Sequence, residues 1–171
     1  MFEKVSYEIF RDSILEHGEV PEDAIQMMYD TIKLPVRSTE NSAGYDFFSP
    51  IGFPNPIPAE TPIIIPTGIK CNLNAIPSPE GQGKFLALYP RSSYGFNYGM
   101  RLMNTVGIID EDYYNNPQNE GHILVAVISM KDLPLNMGTK FCQGIIQPYY
   151  KFSNEEEANN KRIGGTGSTG E

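Results

Sequence analysis

The sequence predicts an all-β domain, either a sandwich or a barrel, and three observations support this prediction. The apolar runs are short and rich in Val, Ile, Phe and Tyr, which favours strands over helices. The 16 Gly and 14 Pro residues interrupt the chain every few positions, as turns between strands do. A length of 171 residues is enough for one domain with a sizeable core.

Composition and charge limit the classes of function. The net charge of −8 disfavours broad binding to nucleic acid or to a membrane surface, but it permits a small anionic ligand held by local arginines. No apolar run reaches the roughly 20 residues of a membrane helix, and no signal-peptide pattern is seen, so we expect a cytoplasmic protein. Cys71 and Cys142 lie in separate apolar runs, which predicts free buried thiols.

Residues 1–30 predict a helical extension. Apolar side chains in 2–16 recur near helical spacing, and Pro21 is suited to open a second helix from Glu22 to Tyr29. We expect both helices to dock on the main domain and cover core surface. The alternative is that the extension binds a protein partner.

Residues 31–152 predict the β domain. The expected strands cover 32–36, 43–48, 63–65, 68–73, 84–89, 106–109, 122–129 and 141–150, the last interrupted at Gly144. Pro35 makes the first of these an edge strand, because proline cannot donate to a neighbour. Residues 153–171 are polar and then Gly-rich, so we expect a flexible arm.

The stretch 103–113 carries a chemical signal. Asp110 directly follows the apolar run 106–109, so its carboxylate is expected at a strand end facing a cleft, where it could hold a water and take its proton. Gly107 would let a flat ligand approach the backbone, and Tyr113 adds a ring. Taken alone, the pattern more often marks a turn-capping Asp beside a core Tyr.

Two further stretches place a guanidinium beside hydroxyl groups, a combination that suits phosphate. The stretches are Arg91 with Ser92 and Ser93, and Arg162 with Ser168 and Thr169 in a Gly-rich run. The second is not a Walker-type loop, because no lysine follows its last glycine. Each alone is also explained by an ordinary surface turn or a Gly/Ser-rich terminus.

Five segments, taken together and in order, resemble the motifs of the trimeric deoxyuridine triphosphatase (dUTPase) family. They are Ala43-Gly44-Tyr45-Asp46, Pro90-Arg91-Ser92-Ser93, Gly107 to Tyr113, Gly138 to Gln143 and Arg162 to Gly170. The resemblance covers 32–170 and implies a jelly-roll-like subunit that forms a homotrimer, with the arm closing over a site formed with other subunits. It implies hydrolysis of dUTP to dUMP and pyrophosphate, with Mg²⁺ held mainly through substrate phosphates and water.

The resemblance also implies a role for each matching residue. Asp110 is expected to be the general base, Gln143 to contact the phosphates and the water, and Asp46 to support the phosphate and metal region. The uracil and sugar contacts are expected from Asn104, Gly107, Ile108, Ile109 and Tyr113. The phosphate contacts are expected from Arg91, Ser92, Ser93, Arg162, Ser168 and Thr169.

The chain departs from the family pattern in four places. Ser93 stands where glycine is usual, 114–120 is longer than usual, and Lys140-Phe-Cys replaces the usual lead of the fourth motif. Thr166 stands where an aromatic ring commonly covers the uracil. Either Phe96 or Tyr98 supplies that ring, or closure is weaker.

Two other functions compete with this interpretation. The first is a deoxycytidine triphosphate deaminase, which shares the implied fold. The deaminase pattern that this chain resembles has a Glu where this chain has Ala126, and the deamination chemistry needs that Glu. A dUTPase-like regulator would instead bind another protein through the extension or through 114–120.

Overall fold

The chain folds into antiparallel sheets of two, four and three strands with few helices, in agreement with the predicted mostly β fold. The computed structural model describes residues 1–79, 82–152, 154, 162, 164 and 165. The strands are β1 (Phe2–Lys4), β2 (Tyr45–Phe48), β3 (Ile63–Pro66), β4 (Ile69–Cys71), β5 (Gln82–Pro90), β6 (Arg101–Leu102), β7 (Gly107–Asp110), β8 (Leu124–Ile128) and β9 (Lys140–Tyr150). The helices are α1 (Tyr7–Leu15), α2 (Glu22–Asp30) and α3 (Ser92–Tyr98), with 3₁₀ turns at Leu73–Ala75 and Glu111–Tyr113.

The four-stranded sheet, in the order β2-β9-β5-β7, positions most of the predicted site residues. Its long strand β9 pairs with β2 on one side and with β5 on the other. Gln143 of β9 therefore lies opposite Asp46 on one side and opposite Tyr89 on the other. Within the described residues, strand β7 pairs with β5 alone, with Asp110 opposite Phe85, and forms an edge of the sheet.

The core lies between this sheet and the three-stranded sheet β3-β8-β6. In β8 the side chains alternate, with Val125 and Val127 buried and their neighbours half-buried, as the two-residue period of a strand requires. Cys71 and Cys142 are buried free thiols. Burial raises the pKa of Cys71 to about 11 and that of Cys142 to about 12.

The first residues do not form the helix that their spacing predicted. Phe2–Lys4 form β1, paired with β4, and helix α1 begins only after Ser6, whose hydroxyl accepts from the backbone of Ile9 at 3.4 Å. The ring of Phe2 packs edge-on against the ring of Phe47, with centroids 5.5 Å apart. Pairing with an available strand edge therefore outweighs local helical spacing. The apolar faces of α1 and α2 are buried in the core.

Two strand predictions are wrong in detail. Residues 32–36 form no strand, and only Val36 bridges to Asp46, because Pro35 has no N–H to donate. Strand β9 runs through Gly144 without interruption. A Cβ at Gly144 would lie 2.8 Å from the side chain of Leu86, so this glycine serves close packing and does not break the strand.

Helix α3 was not predicted, and it follows β5 directly. The backbone carbonyl of Arg91 accepts from the N–H groups of Tyr94 and Gly95, both at 3.0 Å, which starts the helix. The helix ends at Gly99, whose φ of 63° is left-handed and suits glycine. Among the described residues, no helix has the length and apolar character needed to cross a membrane.

Candidate active site

The first half of the site is a cavity of about 350 Å³ at the end of the four-stranded sheet, here called the Asp46 cleft. Its lining comprises Ser38, Ser42, Ala43, Gly44, Asp46, Arg91, Ser92, Ser93, Gln143 and Ile145. These residues come from three stretches that are far apart in sequence. The register of β9 between β2 and β5 brings them together.

Gly44 shows how closely these stretches approach each other. A Cβ on Gly44 would lie 2.8 Å from the Oε1 atom of Gln143, closer than such contacts allow. A larger residue at position 44 would therefore displace the end of the Gln143 side chain. Gln143, Ser92 and Ser93 all line the same cleft.

Asp46 is 5% exposed and is contacted by three donors. The Ser38 hydroxyl donates to its carboxylate at 2.5 Å, Lys140 Nζ lies at 3.0 Å, and Arg91 Nε lies at 3.3 Å. Burial alone would raise the pKa of Asp46, but the hydrogen bonds from Ser38 and Lys140 and the charge of Arg91 outweigh it and hold this pKa below its ordinary value.

The Asp46 cleft suits an anion. Arg91 and Lys140 bring two positive charges to one carboxylate, so the local balance is positive before any ligand enters. The guanidinium of Arg91 is 35% exposed and can turn part of its fork to a ligand. Together with the hydroxyl groups of Ser92 and Ser93, it offers the donors that a phosphate group needs.

The second half of the site is the Asp110 hairpin, residues 104–113, formed by the turn before β7, β7 itself and the 3₁₀ turn after it. The carboxylate of Asp110 is 45% exposed at the strand end, as predicted. Arg162 contacts it through Nη2 at 2.5 Å and contacts Asp112 through Nε at 2.9 Å. The same guanidinium lies over the ring of Tyr113, 5.6 Å from its centroid.

The pKa of Asp110 is raised above its ordinary value. Partial burial is the main cause, the nearby charge of Asp112 adds to it, and the positive charge of Arg162 opposes both. A carboxylate with a raised pKa is a better proton acceptor than an ordinary aspartate. This electrostatic setting fits the predicted role of a general base.

The turn before β7 presents Asn104 to solvent. Asn104 is exposed, and the next residue, Thr105, has a φ of 67°, a left-handed conformation that is strained for a β-branched residue. Ile108 is 51% exposed on the edge strand, where backbone groups facing away from β5 are available to a ligand. Gly107 packs against Leu88, 3.1 Å from where a Cβ would be, so its lack of a side chain also serves the sheet.

One chain does not bring the two halves together. Asp110 pairs with Phe85, whereas Arg91 follows the far end of the same strand β5. At about 3.4 Å per residue, Asp110 and the Asp46 cleft lie about 20 Å apart along the sheet. A water held by Asp110 is therefore out of reach of a phosphate in the cleft of the same chain.

The structure places the predicted residues in these two groups. Asp46, Gln143, Arg91, Ser92 and Ser93 line the Asp46 cleft, and Asp110, Asn104, residues 107–109 and Tyr113 form the hairpin. Arg162 was predicted to contact phosphate, but in this arrangement it contacts the hairpin. Ser168, Thr169 and Thr166 lie outside the described residues.

Sequence reasoning did not assign a role to Ser38 or Lys140. Both contact Asp46, and Lys140 does so because the register of β9 places it opposite Phe48, two residues along β2 from Asp46, which no local sequence pattern reveals. Of the two rings proposed as a lid, Tyr98 packs beside Tyr94 with ring centroids 5.6 Å apart. Phe96 is 89% exposed.

Within the described part of the chain, no group of three or more His, Cys, Asp and Glu side chains is placed to hold a metal ion. Asp46, the carboxylate nearest to the anion-binding donors, is already contacted by Arg91 and Lys140. A divalent cation that reached this cleft would therefore need oxygen ligands from its own ligand complex and from water.

The fold and the two half-sites define a β protein with a cleft of cationic and hydroxyl donors and a carboxylate of raised pKa on a separate hairpin. The family model described as dUTPase matches residues 30–170. The chain belongs to the dUTPase family.

Relatives agree with this assignment. A deoxyuridine 5'-triphosphate nucleotidohydrolase of Lactococcus lactis is 39% identical over 144 residues, which cover 81% of this chain and 89% of the relative. One from Shewanella baltica is 32% identical over 80% of this chain and 86% of the relative. The crystal structure of dUTPase from Streptococcus mutans is similar with a TM-score of 0.60 and 31% identity, covering 90% of this chain and 98% of that chain.

Proposed function

We propose that the protein hydrolyses dUTP to dUMP and pyrophosphate by attack of water on the α-phosphorus. The observation that carries this proposal is the pairing of an anion-binding cleft around Asp46 with a separate hairpin that ends in Asp110. Phosphoryl transfer needs little from a protein beyond positioning, charge stabilisation and one aligned base. The printed names of the relatives from Lactococcus lactis and Shewanella baltica support the same substrate.

The triphosphate lies in the Asp46 cleft in this proposal. Arg91, Ser92 and Ser93 contact the α- and β-phosphates, and Gln143 contacts the phosphates and the attacking water. Asp46 does not react. It forms ion pairs with Arg91 at 3.3 Å and with Lys140 at 3.0 Å. These ion pairs keep both cationic side chains in place when no ligand is bound.

Asp110 holds the attacking water and accepts its proton. In this proposal the contact between Arg162 and the Oδ2 atom of Asp110 opens first, so that the carboxylate can accept the proton of the water. Once released, Arg162 is free to contact the γ-phosphate, together with Ser168 and Thr169. The arm, residues 153–171, thus serves both halves of the site in turn.

A second copy of the chain completes the site, because the two halves of one chain are about 20 Å apart along β5. A closed homotrimer supplies three such sites, each with the cleft of one subunit and the hairpin of another. Jelly-roll-like packing of the β domain, residues 31–152, belongs to the same proposal, with residues 1–30 as an extension that contains strand β1 and helices α1 and α2.

Base and sugar recognition is assigned to the Asp110 hairpin. Asn104 and the backbone of residues 107–109 pair with the uracil edge, and a cytosine would leave these groups unmatched, at a cost of about 1–3 kcal/mol for each. Tyr113 lies under the deoxyribose and leaves no room for a 2′-hydroxyl. Phe96 supplies the ring that covers the nucleotide, because Tyr98 is held by Tyr94.

The substrate enters as its magnesium complex, with the ion held by phosphate oxygens and water. A mutant dUTPase from phage phi11 of Staphylococcus aureus, 17% identical to this chain, is described with a structural Mg(II) ion. The cytoplasm, where nucleotides are made, is the proposed location.

A deaminase is less well supported. Ala126 stands where the deaminase pattern has a Glu. Its backbone carbonyl accepts a hydrogen bond from the N–H of Met103 at 2.9 Å, so it lies beside the turn that carries Asn104. A methyl group there cannot activate water.

The experiment that tests the proposed function is pyrophosphate release from dUTP, UTP, dCTP and dTTP with magnesium present, alongside ammonia release from dCTP. We expect turnover of dUTP at least about a hundredfold faster than that of the other three nucleotides. Ammonia from dCTP, or equal turnover of dUTP and UTP, would contradict the proposal.

A further inference from the structure

The hydroxyl group of Tyr113 is held from two sides. It donates to the backbone carbonyl of His122 at 3.0 Å and accepts from the side-chain amide of Asn119 at 2.9 Å. Two bonds at the far end of the ring fix the position of its hydroxyl oxygen, and so limit how far the ring can move. Burial raises the pKa of Tyr113, so the hydroxyl stays protonated and able to donate at neutral pH.

The amide of Asn119 has a single favourable orientation. Its oxygen accepts from the side chain of Asn116 at 2.8 Å and from the backbone of Gly121 at 3.0 Å. A flipped amide would set its NH₂ group against two donors. The NH₂ group is therefore directed to the hydroxyl of Tyr113.

Asn116 is 5% exposed and organises the turn around Asn119. Its oxygen accepts from the backbone N–H groups of Gln118 and Asn119, both at 3.1 Å, and its nitrogen donates to the carbonyl of Tyr113 at 2.8 Å. The segment that departs from the family pattern is thus an ordered turn, residues 114–121, whose side chains hydrogen-bond to one another and to Tyr113.

Contacts with the N-terminal segment hold this turn in a strained backbone. Asn115 and Glu120 have φ values of 55° and 56°, which are unfavourable for non-glycine residues. The Glu120 carboxylate accepts from the backbone of Ser6 at 3.1 Å and pairs with Lys70 at 3.0 Å. Lys70 also donates to the side chain of Asn115 at 2.8 Å. Both ends of the turn are therefore anchored.

We propose that the turn of residues 114–121 is a specificity element, in which Asn119 is the positioning residue that fixes the ring of Tyr113. The inference rests on the proposed function, in which this ring lies under the sugar. A ring free to tilt leaves room for a 2′-hydroxyl, so the turn sets the discrimination between dUTP and UTP. Through Glu120, the N-terminal segment supports the same discrimination.

The test replaces Asn119 by aspartate, which keeps the size and the acceptor oxygen but loses the donor to Tyr113. Steady-state pyrophosphate release gives kcat and KM for dUTP and for UTP. We expect the dUTP/UTP ratio of kcat/KM to fall at least about fivefold, with kcat for dUTP within about twofold of the wild type. Asn55→Asp makes the same charge change at an exposed position and leaves the ratio unchanged.

Tyr113→Phe provides a second route if Asn119→Asp impairs folding. It removes both hydroxyl bonds, leaves the contacts between Asn116 and Asn119 in place, and must lower the ratio by a similar factor. The double variant must lose no more than Tyr113→Phe alone, because each single change already removes the contact between Asn119 and Tyr113. Additive losses, or a ratio in Asn119→Asp equal to that in Asn55→Asp, overturn the inference while dUTP turnover stands. A wild-type chain without dUTP turnover refutes the proposed function as well.

Discussion

The Asp46 cleft and the Asp110 hairpin are built in different ways. The cleft is assembled by the sheet, because β9 lies between β2 and β5 and its register alone brings Gln143, Asp46 and Arg91 together. The hairpin lies on an edge strand and depends on contacts from outside the sheet, namely Arg162 and the turn of residues 114–121. The proposed binding half is therefore preorganised within one chain, whereas the proposed reacting half depends on contacts that can change.

This difference explains why the acidic groups of the two halves behave differently. Asp46 is surrounded by donors that lower its pKa, which suits a permanent anion that orients cations. Asp110 has a raised pKa and one removable partner, Arg162, which suits a group that accepts a proton. Two aspartates of one sheet are thus suited to different roles because their surroundings shift their pKa values in opposite directions.

The largest expected effect comes from a substitution that disables only the Asp110 hairpin. Asp110→Asn removes the base, and kcat should fall by about 10²–10⁴, while equilibrium dialysis still detects bound dUTP because the Asp46 cleft is intact. Asp112→Asn is the matched control, since Asp112 also contacts Arg162 but is 60% exposed, and we expect a change of about threefold or less. Equal losses in both variants would contradict the assignment of Asp110.

The next largest effect is expected from a substitution in the Asp46 cleft. Asp46→Asn leaves Arg91 and Lys140 without their counter-charge, and the free energy of unfolding should fall by about 1–3 kcal/mol. Since the pKa of Asp46 is lowered in the fold, its stabilising contribution is present above the ordinary value of 3.8 and is lost as the pH falls through the folded-state pKa.

Urea denaturation of both proteins across the acid range checks this prediction. The wild type and Asp46→Asn should converge in stability as the pH falls well below 4. Lys140→Arg keeps the charge and should stay within about 1 kcal/mol of the wild type. A stability difference that is constant with pH would show that the carboxylate charge of Asp46 is not what matters.

A smaller effect is expected at Phe96, which lies four residues after Ser92 on α3 and so on the same helix face. Phe96→Ala should raise KM for dUTP about three- to tenfold by loss of ring stacking. The chain has no tryptophan, so Phe96→Trp introduces a single reporter, whose fluorescence should be quenched by a non-hydrolysable dUTP analogue. Unchanged fluorescence at saturating analogue would remove Phe96 from the nucleotide site.

The smallest expected effect concerns the pH profile of the hairpin. Arg162 lowers the pKa of Asp110, so Arg162→Gln should raise that pKa. Because Asp110 must be deprotonated to act as a base, the acid limb of kcat/KM should move to higher pH. The measurement is the pH dependence of dUTP turnover in the two proteins. A limb that stays in place would show that Arg162 does not contact Asp110 in the active assembly.

Much of the fold and of the site follows from local sequence pattern. The β8 run alternates cleanly, and Asp110 lies at the strand end where its sequence placed it. Sequence pattern fails to predict the structure of a segment when a strand that is distant in sequence determines it. Phe2–Lys4 form a strand because β4 offers an edge, and Lys140 joins the cleft only through the register of β9 with β2.

The contact between Arg162 and Asp110 could not be read from the sequence either, because the two residues are 52 positions apart and no periodicity connects them. The same holds for Asn119, which looks like an ordinary loop residue until the turn places its amide on Tyr113. Sequence patterns report local structure and family motifs, whereas these contacts depend on how distant segments fold back.

The most direct test of the shared site mixes two inactive chains. Arg91→Ala disables the cleft and Asp110→Asn disables the hairpin, so each variant alone should release almost no pyrophosphate from dUTP. Equal amounts refolded together form mixed trimers in which about a quarter of the sites take an intact cleft from one chain and an intact hairpin from another. We therefore predict recovery of about a quarter of wild-type activity. Activity no greater than the sum of the two separate variants would contradict a site built from two chains.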